Sequence, residues 1–118
     1  MVDNANSKPV FGYWPIRGMN RGNLNRYLLA FAGVDFEDKR YTKEEWAVDK
    51  AGLGMDFPNL PYLKIDNYYI TESKVVPAFI CDKFAPELIG GNPEERARIL
   101  QIQEQLNERA FKWFGMAF

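Results

Sequence analysis

The ten residues DFPNLPYLKI, Asp56 to Ile65, set Pro61 directly in front of a run that otherwise reads as a buried β-strand. Proline cannot donate to a sheet ladder, so within sheets it is confined to the first residue of a strand or to an edge. It is also the one residue whose preceding peptide bond adopts cis at modest cost, because the tertiary amide narrows the trans preference. Leu60-Pro61 is therefore a candidate cis bend at a strand entrance. Such a bend turns the backbone N–H and C=O of Leu60 outward, where an extended, peptide-like ligand could pair with them.

On the carboxy-terminal side, PYLKI and YYIT flank Asp66-Asn67, a dipeptide tolerant of positive φ, and predict a two-residue antiparallel hairpin. Ser73 to Phe84 follows as a helix with Val75, Val76, Phe79, Ile80 and Phe84 apolar and Pro77 near its first turn, where a missing donor matters least. APELIGG (85–91) reads as a linker. Asn92 then caps a further helix, with Pro93 at its first position and Glu95 closing a variant capping box. Ile99, Ile102, Leu106, Ala110, Trp113 and Phe114 make one apolar stripe along it.

On the amino-terminal side, PVFGYW (9–14) reads as a strand that Gly18 and the polar MNRGN interrupt. NLNRYLLAFAG is a helix with Leu24, Tyr27, Leu28 and Phe31 at core spacing and Gly33 as its left-handed stop. VDFEDKRY, with Phe36 as its core residue, is a second strand, parallel to the first by way of that helix. Thr42 to Met55 is charged and Gly-punctuated without a core stripe, and predicts an irregular segment with short helical turns. The order βαβ, irregular segment, ββα, long helix is that of an α/β, thioredoxin-like βαβ–ββα domain with a cis-Pro, followed by one long α-helix.

The 118 residues suit one domain, and 47% hydrophobic and 15% aromatic content is enough for a core. Fifteen basic against sixteen acidic residues leave a net charge of −1, with no basic run, which argues against nucleic acid or a membrane surface as partner. The lone Cys81 excludes an internal disulfide, and with no histidine a metal site is not expected. MVDNANSK lacks the apolar stretch of a signal peptide and no run approaches spanning length, so a cytoplasmic protein is expected.

GYWPIRG, LGMDFPNLPYL and TESKVVPAFICDKF resemble, in order and approximate spacing over Lys8 to Glu108, the amino-terminal half of a mu-class-like cytosolic glutathione transferase. The resemblance implies a thioredoxin-like glutathione-binding domain at 8–84, a linker at 85–92, and at 93–118 the first helix of a truncated all-helical domain. It implies that the Tyr13 phenol donates to the glutathione sulfur and that Leu60, before a cis Pro61 and beside Asn59, pairs with the cysteinyl unit. Glu72 and Ser73 match the pair that holds the γ-glutamyl end, with Ser73 at a helix N-terminus suited to a carboxylate. Trp14, Lys43, Trp46 and Lys50 resemble the cluster that takes the glycyl carboxylate. Glu108, with Asn107 as second choice, matches the carboxylate offered to a partner subunit's ligand, so a homodimer is implied. Glutathione is co-substrate and no cofactor is implied.

Two departures bear on the function. The approach to the first helix, RGMNRGNLNRYLL, is about two residues longer than the family's, and Asn25 stands where an apolar residue is usual. The family's further helices, which wall the electrophile pocket, are not in the chain. Three readings follow: a glutathione transferase that conjugates small electrophiles, a noncatalytic transferase-like binding or assembly module, and a glutathione–disulfide oxidoreductase. The third is disfavoured because no Cys-x-x-Cys occurs near residues 13–18 and Cys81 lies inside a helix as a core thiol.

Overall fold

The structure is a computed structural model that describes residues 7–15 and 21–117, excluding the side chains of residues 21, 107 and 110–117. Its elements are β1 (Val10–Tyr13), α1 (Arg21–Phe31), β2 (Glu37–Arg40), α2 (Lys43–Gly52), β3 (Tyr62–Ile65), β4 (Tyr68–Thr71), α3 (Val75–Phe84), a 3-10 turn at Pro86–Leu88 and α4 (Pro93–Ala117). The four strands form one sheet in the order β2-β1-β3-β4. β2 runs parallel to β1, as the intervening helix requires, whereas β3 is antiparallel to both β1 and β4. The Leu60–Pro61 peptide bond is cis. Asp66 opens the β3–β4 turn with φ 52°, the left-handed conformation that Asp and Asn tolerate.

Strand alternation sorts the sheet into two unlike faces. Phe11 lies opposite Leu63, and Leu63 opposite Ile70. These side chains share the face covered by α1 and α3, where Leu29, Val76 and Ile80 are fully buried. Each aliphatic or aromatic side chain so buried contributes about 1.5–3 kcal/mol. The other face is aromatic and polar: Tyr62 lies in T-shaped contact with Tyr69 and Tyr41, and stacks on Trp46 of α2. Gly12 makes this second layer possible. Its Cα sits opposite Tyr62, whose ring lies across the space a side chain would take.

Three expectations are corrected. The stretch from Thr42 is not irregular: Thr42 Oγ1 accepts from the Glu45 N–H at 3.2 Å and Glu45 Oε1 accepts from the Thr42 N–H at 2.9 Å, a full capping box that starts α2. The core face of α1 is not Leu24, Tyr27, Leu28 and Phe31. Leu24, Tyr27 and Phe31 are exposed and Leu28 is half-buried, while Gly22, Asn25, Arg26 and Leu29 turn inward. Arg26 can lie there because Asp38 Oδ1 accepts from its Nε at 2.9 Å, Asn23 Oδ1 from its Nη1 at 3.0 Å, and its guanidinium covers the Phe11 ring. Finally, α3 begins at Val75 with Lys74 before it, so Ser73, expected as the first residue of that helix, lies in the preceding turn.

At α4, Asn92 Oδ1 accepts from the Glu95 N–H at 2.8 Å, as expected of a cap. The Glu95 carboxylate reaches one residue further back than a capping box does, to the Gly91 N–H at 2.6 Å. Along α4, Ile99 is half-buried, Ile102 and Leu106 are exposed, and Lys74 Nζ of the turn before α3 meets Glu104 Oε2 at 2.8 Å. The side chains of the expected stripe residues Ala110, Trp113 and Phe114 are outside the description, and the interruption at Gly18 lies outside the described residues. Among the described residues no helix is long and apolar enough to cross a membrane.

Gly12→Ala is expected to destabilise the domain, because the added methyl enters the Tyr62 ring, which is itself held by neighbours on three sides. Overpacking of this kind costs about 1–3 kcal/mol. Urea unfolding of parent and variant reads it directly, and equal midpoints at equal slope contradict the packing described.

Candidate functional site

Strand register brings most of the candidate residues to one end of the sheet. Tyr13 is the last residue of β1 and lies level with Arg40, the last of β2, from which the chain enters α2 through Tyr41 and Thr42. Gly12 is opposite Tyr62, so one step further sets Tyr13 level with Pro61. Tyr62 is in turn opposite Thr71, which places Glu72 and Ser73 beside the same entrance. Tyr13, Trp14, Asn59, Leu60, Pro61, Glu72, Ser73 and Lys43 at the start of α2 thus all emerge at this end, from four separate chain segments.

Tyr13 is buried on the α1 side, its ring stacked near Phe11 with centroids 6.4 Å apart. Gly22 of α1 faces that ring so closely that a Cβ there would collide with it. The Leu60 N–H does not point freely outward: Asn59 Oδ1 accepts from it at 2.9 Å. Glu72 is held at φ 87°, a conformation disfavoured for a residue with a side chain. Its carbonyl accepts from the N–H groups of Val75 and Val76 at 3.1 and 3.0 Å. Backbone of this kind persists where the surroundings over-determine it, and it clusters at ligand sites.

The residues expected to take an anion differ in burial. Lys43 and Lys50 are exposed on α2, Trp14 is half-buried, and Trp46 is buried, in T-shaped contact with Tyr41 at 5.3 Å and stacked on Tyr62 at 6.2 Å. Glu108 is exposed on α4, roughly 22 Å along the axis from Pro93, and the strand register does not bear on its position.

Behind Trp46 lies a polar knot that sequence reasoning missed. The Tyr41 hydroxyl donates to Asp49 Oδ2 at 2.6 Å, Lys39 Nζ donates to the same oxygen at 3.1 Å, and the Tyr41 and Tyr62 hydroxyls are 2.6 Å apart. Burial first, then the Asp49 carboxylate, pushes the Tyr41 phenol far above its ordinary range, and burial raises Tyr62 and Tyr69. The Tyr41 hydrogen bond, then that from Lys39, holds Asp49 below the usual carboxylate range, and Asp49 raises Lys39. The available sequence signal was Trp46 and Asp49 three residues apart on a helix opened by Thr42-x-x-Glu45. Cys81 is buried in α3 with its thiol pushed up by burial, the opposite of a reactive thiolate.

A family model described as "Glutathione S-transferase, N-terminal domain" matches residues 9–82. The chain is 39% identical over 106 residues to a glutathione S-transferase of Tyrophagus putrescentiae, an alignment covering 85% of this chain and 47% of that protein. It is 40% identical over 95 residues to a class-mu 26 kDa isozyme of Fasciola hepatica, covering 78% of this chain and 42% of that one. A monomeric glutathione S-transferase of Necator americanus superposes with a TM-score of 0.72 at 27% identity, over 86% of this chain and 47% of the other. The chain thus spans about half the length of these relatives.

The raised phenols fix the sign of an alkaline effect. Stability contributed by keeping Tyr41, Tyr62 and Tyr69 neutral is fully present below the ordinary value of 10.0 and is lost as pH rises through their raised folded values. Lys39, raised from 10.5, works in the same direction. Urea midpoints are expected to fall between about pH 9 and about pH 11, and a flat profile contradicts the buried knot.

Proposed function

Since the chain belongs to the glutathione S-transferase family, we propose that it binds reduced glutathione at the end of the sheet where Tyr13 and Leu60-Pro61 adjoin, and conjugates it to small electrophiles. The observation that carries this reading is the register that sets Gly12 opposite Tyr62 and Tyr62 opposite Thr71, each one residue from Tyr13, Pro61 and Glu72. A tripeptide laid across these segments meets a phenol, an extended backbone edge and a polar turn in succession. The relatives' names support a transferase over a noncatalytic module.

In this reading the Leu60 backbone pairs with the cysteinyl unit once Asn59 Oδ1 yields the Leu60 N–H. Glu72 accepts from the γ-glutamyl ammonium and Ser73 donates to its carboxylate. Lys50 and Lys43, with Trp14 and Trp46, take the glycyl carboxylate. Tyr13 acts on the sulfur. A free thiol has a pKa of about 8.5 and is mostly protonated at neutral pH, and each unit of lowering corresponds to about 1.4 kcal/mol of preference for the thiolate. A phenol O–H directed at the sulfur supplies part of that preference. The thiol proton leaves to solvent, the thiolate forms the C–S bond, and the electrophile loses its leaving group or takes up a proton. Glutathione is co-substrate, the setting is the cytoplasm, and detoxification is the class of role.

Homodimerisation is part of the proposal, with Glu108 turned toward the partner's ligand. Ile102 and Leu106, 51% and 62% exposed on α4, support a helix face used for association. The parent is expected to sediment as a dimer at micromolar concentration and Ile102→Glu, Leu106→Glu as a monomer. A monomeric parent ends the dimer proposal, and a dimer indifferent to both charges moves the interface off this face.

Tyr13→Phe is expected to leave glutathione affinity within about threefold while lowering conjugation and raising the bound thiol's apparent pKa. An unchanged thiol pKa, read by thiolate absorbance, leaves Tyr13 as packing alone. Ser73→Ala and Lys50→Ala, at opposite ends of the tripeptide, are each expected to weaken binding about tenfold, the worth of one charge-assisted hydrogen bond. Calorimetric affinities equal to the parent's in both variants place the ligand elsewhere.

A further inference from the structure

Ten residues make up α2, and of their side chains only Trp46 is buried and only Asp49 is half-buried, every other being exposed. The helix is therefore fastened to the sheet through these two side chains. Trp46 supplies aromatic area against Tyr41 and Tyr62. Such stacking resists separation but tolerates sliding and rotation. Asp49 supplies direction: one oxygen, Oδ2, takes the Tyr41 hydroxyl at 2.6 Å and Lys39 Nζ at 3.1 Å, so β2 and the residue after it grip one atom of the helix from two sides. Tyr41 is itself fully buried and braced by the Tyr62 hydroxyl, so its donor cannot follow a displaced helix. Asp49 lies immediately before Lys50 and one helical turn after Trp46.

We propose that Asp49 is a positioning residue for ligand recognition: by locking the rotation and height of α2 on the sheet, it aims Trp46 and Lys50 at the glycyl carboxylate of glutathione. This deepens the function proposed above and rests on it. Asp49 is not itself a ligand contact, because its carboxylate would repel the anion and is already committed to Tyr41 and Lys39. The effect is local to one end of the tripeptide. The γ-glutamyl end meets Glu72 and Ser73, and the cysteinyl unit meets Leu60, none of which belongs to α2.

The test compares glutathione with γ-glutamylcysteine, the same molecule without glycine, by calorimetry on the parent, Asp49→Ala, Asp49→Asn and Lys50→Ala. The parent is expected to prefer glutathione by about tenfold. Asp49→Ala is expected to lose most of that preference while binding γ-glutamylcysteine within about twofold of the parent. Asn keeps an oxygen for the Tyr41 hydroxyl but not the charge facing Lys39, so Asp49→Asn falls between, and it carries the test if the alanine variant does not fold. Combining Asp49→Ala with Lys50→Ala is expected to remove less than the sum of the two single effects, because Asp49 acts in part through Lys50.

An undiminished preference for glutathione in both Asp49 variants overturns the inference. Equal weakening of both peptides also overturns it, since a residue that merely supports the fold affects both ends alike. A parent that binds neither peptide, or binds both equally, fails the glutathione reading itself, and the inference falls with it.

Discussion

The hydroxyls of Tyr41 and Tyr62 meet at 2.6 Å behind β1, and the α2 side of the molecule hangs from that contact. Tyr62 belongs to β3 and Tyr41 follows β2, so the bond joins two segments that the sheet keeps apart by one strand. It exists because the intervening strand carries Gly12 at the crossing, where any side chain would fill the path of the Tyr62 ring. Two buried phenols need partners, since an unpaired buried hydroxyl costs roughly 1–3 kcal/mol. Asp49 completes the set, accepting from Tyr41 while Lys39 balances its charge from the more exposed side. A single glycine in β1 thus determines how a helix three elements later is attached.

The opposite face of the sheet meets a different demand. α1 brings Gly22, Asn25, Arg26 and Leu29 inward, a surface poor in large apolar groups. Gly22 is required there by the Tyr13 ring, and Arg26 by Asp38, which also accepts from Arg40 through its other oxygen at 3.0 Å. Arg26 Nη2 is buried without a hydrogen-bond partner among the described residues. The Arg26 end of this pair is buried and the Asp38 end reaches the surface, so the pairing favours the rotation of α1 that sets Gly22 under Tyr13. The position of the proposed catalytic phenol therefore depends on an ion pair one turn further along the same inward face of that helix.

The strands, the hairpin at Asp66-Asn67, the helices on either side of the sheet's centre and the Asn92 cap were legible in the sequence because each carries a local signal: alternation, a turn dipeptide, a capping side chain. Two features were not. α2 buries one residue and half-buries another, too few for a periodicity, so its charged text resembled a loop although Thr42-x-x-Glu45 marked its start. The inward face of α1 was misread because Leu24, Tyr27, Leu28 and Phe31 have the right spacing and the right chemistry for a core, whereas the face used is polar and is chosen by partners, Asp38 and Tyr13, that sequence proximity does not reveal. The same reason hid Asp49: an acidic residue in a charged run reads as solvated until Tyr41 and Lys39 are brought beside it. The candidate residues at the sheet end were found from motif resemblance, while their convergence required the register.

The knot beneath α2 holds its protonation state across a wide pH range, which in the proposed function separates recognition from chemistry. Asp49, held below its ordinary value of 3.8, contributes stability that is present above that value and is lost only as pH falls through its lowered folded value. Tyr41, Tyr62 and Lys39 are all raised, so they keep their protons to well above neutrality. Across the range between, the knot beneath α2 holds one protonation state and one geometry. A thiol brought to Tyr13 titrates inside that same range, with a reference pKa of about 8.5. In the proposed function the ligand's glycyl end meets a helix whose seating is indifferent to the proton that the sulfur loses at Tyr13. In the proposed function, thiolate formation is then tuned at Tyr13 without altering how tightly the tripeptide would be held at α2.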